Sequence, residues 1–158
     1  MVMAKEYNTL KHTIELPHKY AAGPAWTRFY DGLKQEKIYG SRCQECKKVF
    51  VPARSYCPAC QVSADEWIEV SQEGKVISWA LSISHEFFGM PVSPPFITAL
   101  IRLDDTDCDF LHFIGGIDLS DAKKVKDLIR PGLKVRAIWN EEKKGHMMDI
   151  KHFAPVSG

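Results

Sequence analysis

The chain has 158 residues, of which 45% are hydrophobic and 26% charged, and its formal net charge is +1. That is the composition of an ordinary soluble protein with room for one main domain and one small module. No apolar run approaches the ~20 residues that a membrane span needs, and the chain begins Met1-Val2-Met3-Ala4-Lys5-Glu6 without an apolar signal region, so a cytoplasmic location is expected.

Residues 1–17 show no sustained hydrophobic period and end at Pro17, which reads as an extended or flexible arm. From Gly23-Pro24 the pattern changes. Pro24 suits the first turn of a helix, and Trp26, Phe29, Tyr30 and Leu33 recur at i, i+3, i+4 and i+7 as one apolar face. Such a face has to be covered, either by the chain's own body or by another protein. No other long helix is evident to receive it, so Trp26, Phe29, Tyr30 and Leu33 are expected to dock on a partner.

Next come Cys43-Gln44-Glu45-Cys46 and, ten residues later, Cys57-Pro58-Ala59-Cys60. Two Cys-x-x-Cys pairs at this spacing present four thiolates to one tetrahedral ion, which is what Zn²⁺ takes at about 2.3 Å per sulfur. The alternative is a pair of disulfides, which a reduced compartment discourages. Four protein ligands close the coordination shell, so Cys43, Cys46, Cys57 and Cys60 are expected to hold a structural zinc rather than a catalytic one. A zinc deaminase would need a proline before the second pair and an upstream His-x-Glu. Tyr56 precedes Cys57, and no His-x-Glu lies upstream. Val49-Phe50-Val51-Pro52-Ala53-Arg54, between the pairs, reads as a short strand and a turn, and Trp67-Ile68-Glu69-Val70 as another extended segment, which makes the module a zinc ribbon.

Positive charge gathers around these cysteines. Lys37, Arg42, Lys47, Lys48 and Arg54 face the single acid Glu45, whereas Asp65, Glu66 and Glu69 follow without a base. Part of the cluster can neutralise a zinc tetrathiolate, which is formally 2−. Otherwise Arg42, Lys47, Lys48 and Arg54 are candidates to meet the phosphates of a ligand such as coenzyme A.

From Gly74 onward the period is two. In Val76–Ser84 the odd positions are large and apolar and the even ones mostly small or polar, the pattern of a half-buried strand. A proline-rich loop over residues 88–95 leads to a second strand at Phe96–Leu103 and, past an acidic turn, a third at Phe110–Ile114. Ser120-Asp121 can cap a short helix with apolar members Ala122, Val125, Leu128 and Ile129. Leu133–Trp139 and Met147–Phe153 complete five strands with one short helix between the third and the fourth, the order of an OB barrel. The expected fold is therefore mostly β. An arm and docking helix occupy 1–38, a rubredoxin-like zinc ribbon 39–70, and a five-stranded OB-fold domain 71–158.

The chain resembles the DUF35 family, in which an N-terminal helix, a zinc ribbon and an OB-fold domain follow one another. The matching stretches are Phe29-Tyr30-Asp31-Gly32-Leu33, Gly40-Ser41-Arg42-Cys43-Gln44-Glu45-Cys46 and Pro52-Ala53-Arg54-Ser55-Tyr56-Cys57-Pro58-Ala59-Cys60. In the barrel the match continues through Gly74-Lys75-Val76, Pro95–Asp104, Pro131-Gly132-Leu133-Lys134-Val135 and Phe153-Ala154-Pro155, so coverage runs from about residue 24 to 155. One departure is Lys47, where the family usually places glycine after the second cysteine to let the knuckle turn.

The resemblance implies a small partner subunit of an acyl-CoA enzyme. It implies a thiolase first, including one acting on an aromatic substrate such as benzoylsuccinyl-CoA thiolase, and otherwise a hydratase or an aldolase. Zinc, coenzyme A or acyl-CoA as ligand, and a hetero-oligomeric state go with that implication.

Two other readings come from the residues themselves. An OB barrel can bind single-stranded nucleic acid, with Trp79, Phe96, Phe110, Phe113 and Trp139 as stacking rings. These rings fall mostly on strand faces that must fill the barrel, and the basic cluster is small for a nucleic-acid footprint, so no nucleic-acid partner is expected. A catalyst would draw on His85, Glu86, His112 or Cys108. His85-Glu86 lies at a strand end, His112 sits between Leu111 and Phe113, and Cys108 lies in an acidic turn that disfavours a thiolate. No catalytic residue is assigned.

Overall fold

The structure is a computed structural model and describes residues 10, 12–84 and 89–156. Pro24, in the first turn, opens α1 (Gly23–Leu33), which buries Ala25, Phe29, Gly32 and Leu33. Past a turn at Glu36, three strands form an antiparallel sheet: β1 (Ile38–Arg42), β2 (Val49–Phe50) and β3 (Glu66–Val70), in the order β2-β1-β3. Both the short linker strand and the exit strand therefore lie where their β-branched and aromatic residues suggest.

The rest of the chain closes into a barrel. Its strands are β4 (Glu73–Ser82), β5 (Phe96–Leu103), β6 (Asp109–Ile114), β7 (Lys134–Trp139) and β8 (Ile150–Pro155), in the order β4-β5-β6-β8-β7. Closure depends on β4 pairing with β5 along most of its length and with β7 at its start, and on the single parallel pair Ile114↔Phe153 between β6 and β8. At the shared corner Gly74 faces both Leu103 and Val135. A Cβ there would run into the Arg102 carbonyl and the Leu103 Cα, so the corner needs glycine. The short helix α2 (Ala122–Leu128) stands between β6 and β7, and its N-cap Asp121 accepts from the Lys123 and Lys124 N–H groups. The architecture is mostly β, with an N-terminal helix, a small cysteine-bearing sheet and a five-stranded barrel of OB topology.

Alternation along β4 holds only in part. Val76 pairs with Ile101 and Ser78 with Leu100, which leaves Ile77 as an extra residue in a bulge. Upstream of it the even position Val76 is buried, and downstream the odd positions Trp79 and Leu81 turn inward, while Ile77 and Ile83 are exposed. A bulge inserts one residue and so exchanges the faces.

One apolar cluster runs through all three parts. Phe29, Leu33, Ile38, Val49, Val51, Ala53 and Val70 join Val76, Ile97, Ile101, Phe110, Val135, Ile150 and Phe153 in a continuous buried core. The Phe29 ring meets Phe110 edge-on at 6.5 Å, and Phe110 meets Phe153 at 6.1 Å. Outside that core, the Arg28 guanidinium lies 4.6 Å over the Trp67 ring, tying α1 to β3.

This corrects the expectation that the face of α1 docks on a partner. Phe29 and Leu33 are 0% exposed, because the barrel and the small sheet supply the cover that a partner protein was expected to give. Tyr30 is half-buried and packs on the same core. Only Trp26, at 40% exposed, remains available on that face.

Candidate metal centre

The two cysteine knuckles are the same turn built twice. In the first, the Lys47 N–H donates to the Cys43 carbonyl at 3.0 Å and the Cys43 N–H to the Lys48 carbonyl at 3.0 Å. In the second, the Gln61 N–H donates to the Cys57 carbonyl at 2.9 Å and the Cys57 N–H to the Val62 carbonyl at 2.9 Å. Each turn needs its fifth residue in the left-handed region, and Lys47 and Gln61 have φ of 61° and 57°. The strain expected at Lys47 is therefore real, and Gln61 shares it, as its place directly after Cys60 would have indicated.

Replacing Lys47 by glycine removes a left-handed penalty of roughly 1 kcal/mol and adds a comparable entropic cost in the unfolded chain. Lys47→Gly should therefore be neutral or stabilising by up to about 1 kcal/mol. A loss of more than that in urea denaturation would show that the Lys47 side chain itself contributes.

The four sulfurs of Cys43, Cys46, Cys57 and Cys60 lie within 4.8 Å of one another, and the Cys46 and Cys57 sulfurs are 3.7 Å apart. Tetrahedral bonds of about 2.3 Å give sulfur–sulfur edges of about 3.8 Å, so the donor set is positioned for one zinc-sized ion. Cys43 and Cys57 are buried, and Cys46 and Cys60 are half-buried. The Cys60 N–H donates to the Cys57 sulfur at 3.4 Å and is the main cause that lowers the Cys57 thiol to about 7. Cys60 is pushed up to about 12, chiefly by its hydrogen bond with Cys46. Four crowded sulfurs resist ionising together, and a bound cation is what would reverse that resistance.

The surrounding charges are arranged by strand register. Arg42 stands opposite Glu66 across β1 and β3, and its Nη1 is 2.8 Å from Glu66 Oε1. Lys37 Nζ is 2.8 Å from Glu69 Oε2. The basic block before the cysteines and the acidic block after them thus partly neutralise each other. Of the four candidate phosphate contacts, Arg42 is committed to Glu66. Arg54 is exposed and its guanidinium lies 5.6 Å over the Phe50 ring. Lys47 and Lys48 are exposed, and no described carboxylate pairs with either.

Two further devices fix this sheet, and neither had a local signal in the sequence. The Ser41 hydroxyl, fully buried, donates to the Arg54 carbonyl at 2.8 Å and accepts from the Arg54 N–H at 2.8 Å. The turn before β6 then closes the outer side of β2. The Val49 N–H donates to Asp107 Oδ2 at 2.9 Å, the Asp107 N–H donates to the Val49 carbonyl at 2.9 Å, and the Val51 N–H donates to Cys108 Sγ at 3.0 Å. The Cys108 thiol also donates to the Val51 carbonyl at 3.2 Å. Cys108, weighed above as a nucleophile, is engaged in joining sheet to barrel.

His112 is likewise placed as a core residue. It is 4% exposed and stacks on Phe110 at 5.7 Å. Its Nε2 lies 3.2 Å from the Met147 carbonyl, so the proton sits on Nε2, and Nδ1 has no hydrogen-bond partner among the described residues. Burial holds its pKa below the ordinary value, partly offset by the bond to Met147. His152, half-buried, is shifted the same way, chiefly by desolvation. His85 and Glu86 lie outside the described residues.

A histidine with a depressed folded pKa binds its proton more readily in the unfolded chain. Its stabilising contribution is present above pH ~6.5 and is lost as pH falls from there, at up to about 1.4 kcal/mol per pH unit for His112. Urea denaturation followed from pH 7 down to about 5 should show this slope, and His112→Gln should flatten it. An unchanged slope in that variant would assign the acid sensitivity elsewhere.

Of the five proposed stacking rings, Phe110 is buried inside the barrel and the Trp139 indole N–H donates to Gln72 Oε1 at 2.9 Å. Trp79, Phe96 and Phe113 are half-buried. Among the described residues no helix is long and apolar enough to cross a membrane.

Comparison with known proteins agrees with this architecture. A family model described as the ChsH2 rubredoxin-like zinc ribbon domain matches residues 31–66, and one described as the ChsH2 C-terminal OB-fold domain matches residues 67–140. A DUF35 domain-containing scaffold protein of Methanocaldococcus jannaschii is 30% identical over 70 residues, which make up 43% of this chain and 48% of that protein. The chain thus spans about half the length of that relative. A crystal structure of a DUF35-family protein of unknown function from Sulfolobus solfataricus is similar with a TM-score of 0.56 and 31% identity, covering 73% of this chain and 78% of that one. A chain of a solved structure described as the Ltp2-ChsH2(DUF35) aldolase is similar in fold, with a TM-score of 0.56 and 22% identity over 81% of this chain and 91% of that one.

Proposed function

This chain belongs to the DUF35 family, and from that premise we propose that it is a zinc-containing accessory subunit that docks on a larger acyl-CoA enzyme. The observation that carries the reading is the closed cysteine quartet, with all four sulfurs within 4.8 Å and its two first cysteines buried. Such a site holds a shape and leaves no position for a reacting group. A zinc held by Cys43, Cys46, Cys57 and Cys60 would crosslink the two knuckles rigidly. Cys108 and His112, described above, are used in packing, so the chemistry is assigned to the partner. The division of the chain at about residues 38 and 70 belongs to the same proposal.

A thiolase-type partner, cleaving an acyl-CoA whose acyl group is aromatic, is the first form of this proposal. An aldolase partner is the second, favoured by the description of a structural relative as an aldolase complex containing a DUF35 chain. In either form Lys47, Lys48 and Arg54 are the side chains left to meet CoA phosphates. The test is to co-express the chain with a thiolase-type or aldolase-type subunit, isolate the complex and compare turnover of acyl-CoA with and without it. A co-eluting complex whose turnover depends on this chain is the expected result. Failure to associate with either class, or turnover indifferent to the chain, would overturn the reading.

A further inference from the structure

β6 and β8 pair at the single position Ile114↔Phe153, and along the rest of β6 no β8 residue pairs with it. Beside that stretch lies the 3₁₀ turn Met147–Asp149, which leads into β8. The turn is held from both ends. Asp149, buried, accepts from the Lys144, Gly145 and His146 N–H groups at 3.0, 2.7 and 3.2 Å, and the Asn140 side-chain amide donates to the Met148 carbonyl at 2.6 Å. From the β6 side, His112 Nε2 reaches the Met147 carbonyl.

Turn and strand line a cleft of about 280 Å³, to which β6 gives Leu111, His112 and Phe113 and the turn gives Met147 and Met148. No lysine, arginine, aspartate or glutamate lines it, and Leu111 is 63% exposed. An apolar cavity of ~150 Å³ is enough to hold benzene, so the cleft has room for a substituted ring. His112 adds one polar feature. It is 4% exposed, and with the proton on Nε2 its Nδ1 is an acceptor, the one buried side-chain nitrogen or oxygen left without a hydrogen-bond partner among the described residues. Burying an unpaired acceptor is costly, and such groups are normally met by water, an ion or a ligand. A water would be poorly held beside these walls, because a buried water needs about three polar partners.

We propose that this cleft binds a small neutral aromatic molecule carrying a single hydrogen-bond donor, a phenol in type, whose O–H donates to His112 Nδ1. The Phe113 ring and the two methionine thioethers favour an aromatic body over an aliphatic one of the same size. The lone acceptor selects for the donor, since a site built around a hydrogen bond rejects the analogue that lacks it. Because every residue involved belongs to the barrel domain, the inference stands whether or not the accessory-subunit reading does.

The test titrates the full chain, isotope-labelled for NMR, with phenol and separately with fluorobenzene, which has the same ring and no donor. Phenol should shift Leu111, Phe113, Met147 and Met148 saturably, with a Kd of about 1 mM or tighter, and should move the His112 Nδ1 resonance. Fluorobenzene should bind roughly tenfold more weakly and leave Nδ1 in place. Leu111→Asp changes an exposed position and should fold, yet weaken phenol binding by roughly tenfold or more. Leu128→Asp, at a leucine of α2 that is 46% exposed and outside the cleft, should change it by no more than about twofold. His112→Phe should erase the preference for phenol over fluorobenzene, and if that variant does not fold, the Nδ1 resonance of the native chain decides the same point. Absence of saturable shifts, equal binding of the two probes, or an Nδ1 resonance unmoved by bound phenol overturns the inference. A water at Nδ1 that survives saturation with phenol also overturns it, since the acceptor is then already met.

Discussion

Removing the metal, by chelator or by Cys57→Ser, is expected to unfold the cysteine sheet and to lower the stability of the barrel with it. Cys57 is buried and its sulfur is 3.7 Å from that of Cys46, so serine there removes a ligand from the middle of the quartet. A structural zinc site supplies an apparent 10–16 kcal/mol, about what a whole domain of this size has to spare. The effect should spread because Val49, Val51 and Ala53, beside the knuckles, belong to the same buried cluster as Ile101, Phe110 and Phe153 in the barrel. The hydrogen bonds of Val49 and Val51 to Asp107 and Cys108 are a second link. Metal analysis of the native protein should find about one zinc per chain, as a single tetrathiolate site requires. After chelation, amide exchange should rise at Val49–Ala53 and also in β5 and β6, with a lower Tm. A barrel whose Tm and exchange are untouched by zinc removal would mean that the two parts are stabilised independently. A native protein free of zinc would remove the premise.

What was legible in the sequence follows from how local each determinant is. The metal quartet and its zinc-ribbon frame are written in two tetrapeptides, so spacing alone located them. Barrel strands and the cap at Asp121 are also local patterns, and their order identified the OB topology. The bulge at Ile77 is not local, because it is defined by which β5 residue each β4 residue faces. Arg42 and Glu66 illustrate an intermediate case. Their two charge blocks were visible, but only the β1–β3 register makes them partners. Asp107 and Cys108 looked like an acidic turn with a stray thiol, and their role exists only because β2 arrives beside them. The cover over α1 was missed for the same reason, since it is made by strands distant in sequence.

That last point yields the second large effect. Phe29→Ala should cost about 3–5 kcal/mol, the usual range for emptying a buried phenylalanine site, and lower Tm by roughly 6–20 °C for a chain of this size. Phe29 is 0% exposed and meets Phe110 inside the barrel, so the surrounding strands cannot collapse into the vacated space without moving the sheet. Trp26→Ala is the control on the same helix. Trp26 is 40% exposed and packs edge-on to Phe29 and tilted against Tyr30, so its loss should cost no more than about 1 kcal/mol. The two readings of α1 differ in what urea denaturation and partner binding report. If the helix face were a docking surface, Phe29→Ala would weaken association and leave the isolated chain nearly as stable as before. With Phe29 in the core, the isolated chain itself loses stability, and association measured well below its Tm stays close to that of the native protein. Trp26→Ala reverses the order, with little change in stability and its effect, if any, on association.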